Sequence, residues 1–265
     1  MRLFLSDTCY EPLFALPKKI QTKVVNFQRK FRECTTANGM HLEPIAQFND
    51  ASMRTARIDD NYRAVIGLID DNAYLLFVGT HENAYNWGIR KKLVWNDHTQ
   101  ACQLVTVHQI SETVVTTEES EAIYPYADVL DEQWLKIGVP EELIPQVRLI
   151  KSLDDLELLE EYLPTDAFEN IYNLLDGENI DDIIAEIEDG QAKENEDQLL
   201  SNNNKRRFVE LTDDDALQRI LDNDMDKWQL FLHPSQQKLV DADYKGTMKV
   251  SGGAGTGKTV AALLR

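Results

Sequence analysis

The sequence contains few cysteines, and none of them is paired at short spacing. Cys9, Cys34 and Cys102 lie far apart in a chain of 265 residues, and no Cys-x-x-Cys motif occurs. This spacing argues against a zinc site and against the disulfide framework that stabilises small secreted domains. It fits the reducing environment of the cytoplasm, which is where we expect the protein.

Long apolar segments are also absent. No run approaches the roughly 18 apolar residues that a membrane-spanning helix needs. Residues 1–7 become polar too soon for a signal peptide. We therefore expect a soluble protein with no membrane partner; its oligomeric state does not follow from the sequence.

Basic residues are scarce, with 27 Lys and Arg against 46 Asp and Glu and a net charge of −19. Residues 111–200 carry 4 basic and 26 acidic residues, whereas residues 1–110 carry 13 and 11 and residues 201–265 carry 10 and 9. The acidic segment would repel nucleic acid, so a polynucleotide contact is expected elsewhere in the chain. We interpret this segment as the solvated surface of a helical connector; an acidic docking surface is the alternative.

The last fifteen residues carry the clearest motif. Gly252-Gly-Ala-Gly-Thr-Gly-Lys-Thr259 contains Gly-x-x-x-x-Gly-Lys-Thr, the phosphate-binding loop (P-loop). Glycines let consecutive backbone N–H groups turn toward a phosphate, and the helix that follows directs its positive end to the same place. Lys258 would reach the β- and γ-phosphates, and the Thr259 hydroxyl would bind the metal. The sequence therefore predicts ATP and Mg²⁺ as cofactors.

The segment 228–265 resembles the start of a superfamily-one DNA helicase of the UvrD/Rep type. Two motifs carry the resemblance: the P-loop, and Leu232-His-Pro-Ser-Gln236, which is similar to the Leu-Asn-Pro-x-Gln of that family. The family's glutamine contacts adenine, so the resemblance implies this role for Gln236; an exposed glutamine at a helix start is the alternative. His233 departs from the family's asparagine. The resemblance implies nucleotide binding by Gln236, Gly253, Gly255, Thr256, Gly257, Lys258 and Thr259.

Hydrolysis of ATP needs more than this loop. A second acidic magnesium ligand, a group that positions the attacking water and an arginine finger normally come from later parts of such a domain. We therefore interpret the chain as the N-terminal part of a longer helicase. We expect it to hydrolyse ATP poorly by itself, and we expect residues 246–265 to be loosely packed.

The first 95 residues predict a small α+β domain. Strands are expected at 2–5, 54–58, 62–68 and 73–78, with helices at 10–32, interrupted near Pro17, and at 81–91. The order is βααβββα, and the sheet is expected to be antiparallel. The predicted domains are thus 1–95, an acidic and mostly helical connector at 96–205, and the first strand, P-loop and helix of a RecA-like domain at 206–265.

The N-terminal domain resembles the RelE/ParE toxin family, whose members cleave messenger RNA. The similar segments are Arg54-Thr-Ala-Arg-Ile-Asp59, Tyr62-Arg-Ala64 and Val78-Gly-Thr-His-Glu-Asn-Ala-Tyr-Asn-Trp87. By position, the resemblance implies that Arg63 holds a phosphate, that His81 is the general acid or base and that Tyr85 orients RNA. Arg54 and Arg57 would supply positive charge for the nucleic acid. Ala56 stands where active members often carry a lysine, and a solvated sheet face is the alternative reading of the arginines.

The sequence therefore predicts an N-terminal fragment of an ATP-dependent DNA helicase, with a RelE-like domain ahead of the nucleotide-binding motifs. Two alternatives stay open: a toxin-like protein that binds or cleaves RNA and retains a remnant P-loop, and an interaction module that docks through the acidic connector.

Overall fold

The computed structural model describes residues 1–33, 40, 42–106, 124–193, 196–222 and 240. These residues form a mixed α+β fold that divides into two compact units. The first unit combines Met1–Ile89 with the described residues from Lys205 onward, and the second is Arg90–Asn204. The prediction of an α+β protein is confirmed at this level.

A six-stranded mixed sheet forms the centre of the first unit. Its spatial order is β2-β3-β4-β5-β1-β8, and every neighbouring pair is antiparallel except β1 and β5, which run parallel. The strands are β1 (Arg2–Ser6), β2 (Glu43–Pro44), β3 (Met53–Arg57), β4 (Tyr62–Ile69), β5 (Asn72–Thr80) and β8 (Phe208–Glu210). The expectation of an antiparallel sheet is therefore wrong for β1, which sits in the interior of the sheet between β5 and β8.

Two helices from the start of the chain cover one face of this sheet. They are α1 (Tyr10–Ala15) and α2 (Lys18–Glu33). The apolar residues of α2 recur at spacings of three and four, so they form one stripe, and all of them are buried: Ile20, Val24, Phe27 and Phe31. Val24, Phe27 and Phe31 pack into a core that includes Leu5, Ala64 and Ile66 of the sheet.

The helix α3 (His81–Ile89) follows β5 directly and contacts β4 and β5. Its Trp87 stacks on Phe77, with ring centroids 5.2 Å apart. Phe48 fills the space beside Gly88, where an added Cβ would lie 2.3 Å from the phenylalanine ring. This close approach explains why a glycine occupies the position.

Residues far along the chain complete the first unit. Besides β8, the short helix α10 (Ala216–Asp222) packs on α2. Leu211, Leu217, Ile220 and Leu221 belong to the same hydrophobic core as α2 and the sheet. The described residues from Lys205 onward are therefore part of the N-terminal fold, which differs from the predicted separate segment at 206–265.

The second unit consists of a β-hairpin and short helices. The hairpin pairs β6 (Lys91–Asn96) with β7 (Ala101–Thr106). The helices are α4 (Asp131–Lys136), α5 (Ile144–Val147), α6 (Leu153–Glu157), α7 (Thr165–Leu175), α8 (Ile180–Asp189) and α9 (Asn202–Lys205). They enclose a separate core around Trp134, Leu156, Ile171 and Ile187. The hairpin lies at residues 91–106, where the sequence predicted the last residue of a helix and the start of the acidic, mostly helical connector.

Two adjacent asparagines of α9 form hydrogen bonds with backbone groups from several segments of the second unit. Asn203 Nδ2 donates to the carbonyl oxygens of Thr99 and Ile187, each at 2.9 Å. Asn204 accepts from the backbone N–H of Cys102 at 2.9 Å and donates to the carbonyl oxygen of Gln198 at 2.8 Å. The bonds to Thr99, Ile187 and Cys102 satisfy backbone groups that are buried.

Candidate functional site

Arg63 lies at one end of the first-unit sheet, between Arg57 of β3 and Gly79 of β5 in the strand register. Its side chain is half-buried, and Nη1 donates to the carbonyl oxygens of Asp59 and Tyr62 at 2.7 and 3.0 Å. Its Nε is buried and has no hydrogen-bond partner in the described part of the chain. The guanidinium therefore stabilises the turn between β3 and β4, and its Nε–H remains an unpaired donor among the described residues.

His81 and Tyr85 form a stacked pair on the first turns of α3. They are four positions apart, which places them on one helix face, and their ring centroids are 4.2 Å apart with an interplanar angle of 21°. The backbone N–H of His81 donates to the carbonyl oxygen of Asn61 at 2.8 Å. His81 is exposed, whereas Tyr85 is half-buried and meets the edge of Phe48.

The structure brings Arg63 to the same end of the sheet as His81 and Tyr85. Gly79 is the cross-strand partner of Arg63, and His81 follows Gly79 by two residues. Strand geometry then puts the Cα atoms of Arg63 and His81 within roughly 10 Å of each other. Side chains of this length can meet one phosphodiester over such a separation.

Arg54 is not part of this group. Arg54 and Arg57 are three positions apart on β3, so their side chains leave opposite faces of the sheet, and only Arg57 shares the face of Arg63. Arg54 donates to the carbonyl oxygens of Ala51 and Met53. The two arginines expected to supply charge together are thus separated by the sheet itself.

Carboxylates surround this end of the sheet. Asp60 pairs with Arg57, and Asp59 accepts a 2.9 Å bond from Lys23 Nζ. The hydrogen bond from Lys23 is the main cause that lowers the pKa of Asp59 below its usual value, with help from the N–H groups of Asn61 and Tyr62. These partners were missed from the sequence, although the Asp59-Asp60 pair directly after β3 was a visible signal. They leave Arg63 as the cation of this group that no carboxylate contacts among the described residues.

The residues expected to bind Mg-ATP lie outside the described residues. They are Gln236, Gly253, Gly255, Thr256, Gly257, Lys258 and Thr259. Within the described ranges, no group of three or more His, Cys, Asp or Glu side chains is placed to hold a metal ion. No helix in the same ranges is long and apolar enough to cross a bilayer.

Comparison with known proteins gives no relative: the chain matches no family model, no curated protein and no solved structure.

Proposed function

We propose that the chain binds Mg-ATP through residues 252–259 and belongs to an ATP-dependent DNA helicase of the superfamily-one type. The observation that carries this proposal is the pair of motifs Leu232–Gln236 and Gly252–Thr259, separated as that family requires. Each motif has a distinct physical task. The glycines and Lys258 hold the phosphates, whereas Gln236 would read the base.

Equilibrium binding of a fluorescent ATP analogue in the presence of Mg²⁺ tests the phosphate contacts. Lys258→Ala removes the cation that contacts the β- and γ-phosphates and should weaken binding at least tenfold. Lys193→Ala removes an exposed lysine of the second unit and is the matched control. Equal affinity of Lys258→Ala and the wild type would eliminate the proposal.

Base discrimination gives a second and independent readout. A side-chain amide that pairs with adenine leaves its donor and acceptor unmatched against guanine. Gln236→Ala should therefore reduce the preference for ATP over GTP while leaving the affinity for inorganic triphosphate unchanged. If the nucleotide preference does not change, Gln236 is an ordinary surface residue.

A second candidate function is RNA binding, with or without cleavage, at Arg63, His81 and Tyr85. The grouping of a cation, an exposed imidazole and a stacked phenol at one sheet end favours it, since phosphate contact, proton transfer and base stacking need these groups. The paired charges of Arg57 and Asp60 weaken the local positive field. This candidate therefore ranks below nucleotide binding.

An RNA cleavage assay with purified ribosomes and messenger RNA separates the catalytic version from simple binding. His81→Ala should abolish cleavage, and His98→Ala, an exposed histidine of the second unit, should not. Arg63→Gln should weaken RNA binding. Full cleavage by His81→Ala would exclude His81 as the catalytic group, and no cleavage by the wild type would exclude a ribonuclease.

A further inference from the structure

The helix α2 is the most basic element of the first unit. Its sixteen residues, Lys18–Glu33, contain six cations and one acid. The remaining parts of segments 1–89 and 205–222 carry eight basic and fourteen acidic residues. The cations of α2 are Lys18, Lys19, Lys23, Arg29, Lys30 and Arg32. A protein with a net charge of −19 thus concentrates positive charge on one helix.

Three of these cations share one line along α2, and the other three lie on neighbouring parts of its surface. Lys19, Lys23, Asn26 and Lys30 recur at spacings of four and three, which aligns them along the helix. Lys30 follows Lys19 by eleven positions, a span of about 17 Å at 1.5 Å per residue. Each member of this line directly precedes a residue of the buried apolar stripe, so the line runs beside that stripe, about 100° around the helix axis from it.

Only part of the positive charge of α2 is neutralised. Lys23 pairs with Asp59 at 2.9 Å, Arg29 with Asp215 at 2.7 Å and Arg32 with Asp214 at 2.9 Å. Lys18, Lys19 and Lys30 are exposed, and in the described part of the chain no carboxylate contacts them. The acidic loop at residues 213–215 therefore neutralises two arginines near the C-terminal end of α2. Lys18, Lys19 and Lys30 are left to solvent.

The composition of the exposed face indicates what kind of partner it fits. Its exposed residues are all polar: Lys18, Lys19, Thr22, Asn26, Lys30, Arg32 and Glu33. A membrane-surface helix needs apolar residues that enter the bilayer, and a protein interface needs an apolar or aromatic centre. A regular line of cations with no apolar component suits a phosphate backbone, which is bound through charge and polar donors.

We propose that α2 binds the phosphate backbone of nucleic acid through Lys18, Lys19 and Lys30, and that Asp214 and Asp215 limit this surface by neutralising Arg29 and Arg32. The span of about 17 Å corresponds to roughly five base-pair steps along the axis of a duplex, at 3.4 Å per step. This surface is distinct from Arg63 and His81. Ala64 belongs to the core that α2 covers, so the neighbouring Arg63 side chain leaves the opposite face of the sheet.

Fluorescence anisotropy with the full chain and a labelled 20-nucleotide single-stranded DNA tests the lysines, with RNA and duplex DNA of the same sequence as further arms. For three phosphate contacts on a single strand, the slope of log affinity against log salt should be about −2. Lys18→Gln, Lys19→Gln and Lys30→Gln combined should bring the slope close to zero and weaken binding at least about a hundredfold at roughly 50 mM salt. The control combines Lys136→Gln, Lys151→Gln and Lys193→Gln, which remove the same charge from the second unit.

Asp214 and Asp215 provide a second test, in which the affinity for nucleic acid should rise instead of fall. Asp214→Asn with Asp215→Asn frees the charge of Arg29 and Arg32. The loop should stay in place, because the two arginines also donate to the carbonyl oxygens of Leu211, Thr212 and Asp214. Binding should tighten several-fold, and the salt slope should steepen by about 1.4, for two further contacts on a single strand.

Four results would overturn the proposal. The first is an absence of salt-dependent DNA binding at about 50 mM salt, and the second is an equal loss of affinity in the triple variant and its control. The third is no gain of affinity in the variant with Asp214→Asn and Asp215→Asn. The fourth is competition by polyglutamate as strong as competition by DNA. The last result would instead assign the helix to an acidic protein partner. Thermal unfolding of each variant verifies that the fold is intact.

Discussion

The backbone N–H of Leu217 donates a hydrogen bond of 3.2 Å to Oε1 of Gln28, although 189 positions separate the two residues. The Nε2 of the same side chain donates to the carbonyl oxygen of Asp213. Gln28 is fully buried. One side chain of α2 therefore satisfies two backbone groups at the start of α10 and fixes where this helix begins.

We expect Gln28→Leu to lower the free energy of unfolding of the first unit by about 2–4 kcal/mol. The reason is that the buried N–H of Leu217 loses its partner, at about 1–3 kcal/mol for an unsatisfied group. The carbonyl oxygen of Asp213 also loses one hydrogen bond, worth about 1 kcal/mol, and keeps the one from the N–H of Ala216. Gln218→Leu changes the same residue type at a half-exposed position of α10 and should cost less than about 0.5 kcal/mol. Urea denaturation followed by circular dichroism measures both, and equal effects would contradict the role of Gln28.

Residues 1–92 expressed alone should fail to form the stable first unit. The missing β8 leaves the side of β1 open, and the missing residues 211–221 remove Leu211, Leu217, Ile220 and Leu221 from the core. Each absent large apolar residue costs about 2–5 kcal/mol, which together exceeds the stability of an ordinary domain. Dispersed amide signals in the NMR spectrum of this fragment, with cooperative unfolding, would disprove the expectation.

Asn204→Ala should destabilise the second unit by about 2–3 kcal/mol, because the buried N–H of Cys102 loses its bond to the asparagine. The carbonyl oxygen of Gln198 loses one hydrogen bond and keeps the one from the N–H of Ser201. Asn202→Ala is a matched control two positions earlier in the same helix, at an exposed site. It should change the unfolding free energy by less than about 0.5 kcal/mol. Hydrogen exchange of the Cys102 amide, fast in Asn204→Ala and slow in Asn202→Ala, would localise the effect.

Gly138 and Gly177 both have positive φ, at 92° and 99°, but they differ in surroundings. A Cβ at Gly138 would lie 2.8 Å from Nε2 of Gln103, whereas a Cβ at Gly177 meets nothing within 4 Å. Gly177→Ala should thus cost only the backbone strain, about 1–2 kcal/mol, and Gly138→Ala should cost distinctly more. The difference between the two melting temperatures is the measurement, and equal losses would show that Gln103 moves aside freely.

Acid should weaken the contact between the acidic loop and its arginines. Arg219 is the main cause that lowers the pKa of Asp213 to about 2. A folded-state pKa below the unfolded value means that the contribution to stability is complete above about pH 4 and is lost as the pH falls toward 2. Asp213→Asn should flatten the stability curve in this window, unlike Asp71→Asn in the exposed turn between β4 and β5. A curve with the same slope in both variants would contradict the assignment.

Local patterns in the sequence predicted local structure well. The apolar stripe of α2 and the strands β4 and β5 were predicted to within two residues, because each depends on neighbours a few positions away. The parallel pairing of β1 and the strand β8 could not be predicted, because their partners lie elsewhere in the chain. The hairpin of β6 and β7 was obscured by its charged first residues.

The candidate site was predictable to a smaller degree. The grouping of Arg63 with His81 depends on the register between β4 and β5, which a hairpin pattern suggests but does not fix. The separation of Arg54 from Arg57 follows from the two-residue period of a strand and was overlooked. The neutralisation of Arg57 by Asp60 and the bond from Lys23 to Asp59 depend on side-chain geometry in a turn, which composition does not specify.

The position of β1 between β5 and β8 has a consequence during synthesis on the ribosome. The ribosome makes β5 soon after β1. It makes the other neighbour, Phe208–Glu210, about 10–40 s after β1 at 5–20 residues per second. During this interval β1 exposes an open backbone edge with apolar side chains, which is the kind of surface that recruits other nascent strands. The whole second unit is translated in the meantime, so slow translation of residues 90–204 should increase co-translational aggregation more than slow translation elsewhere.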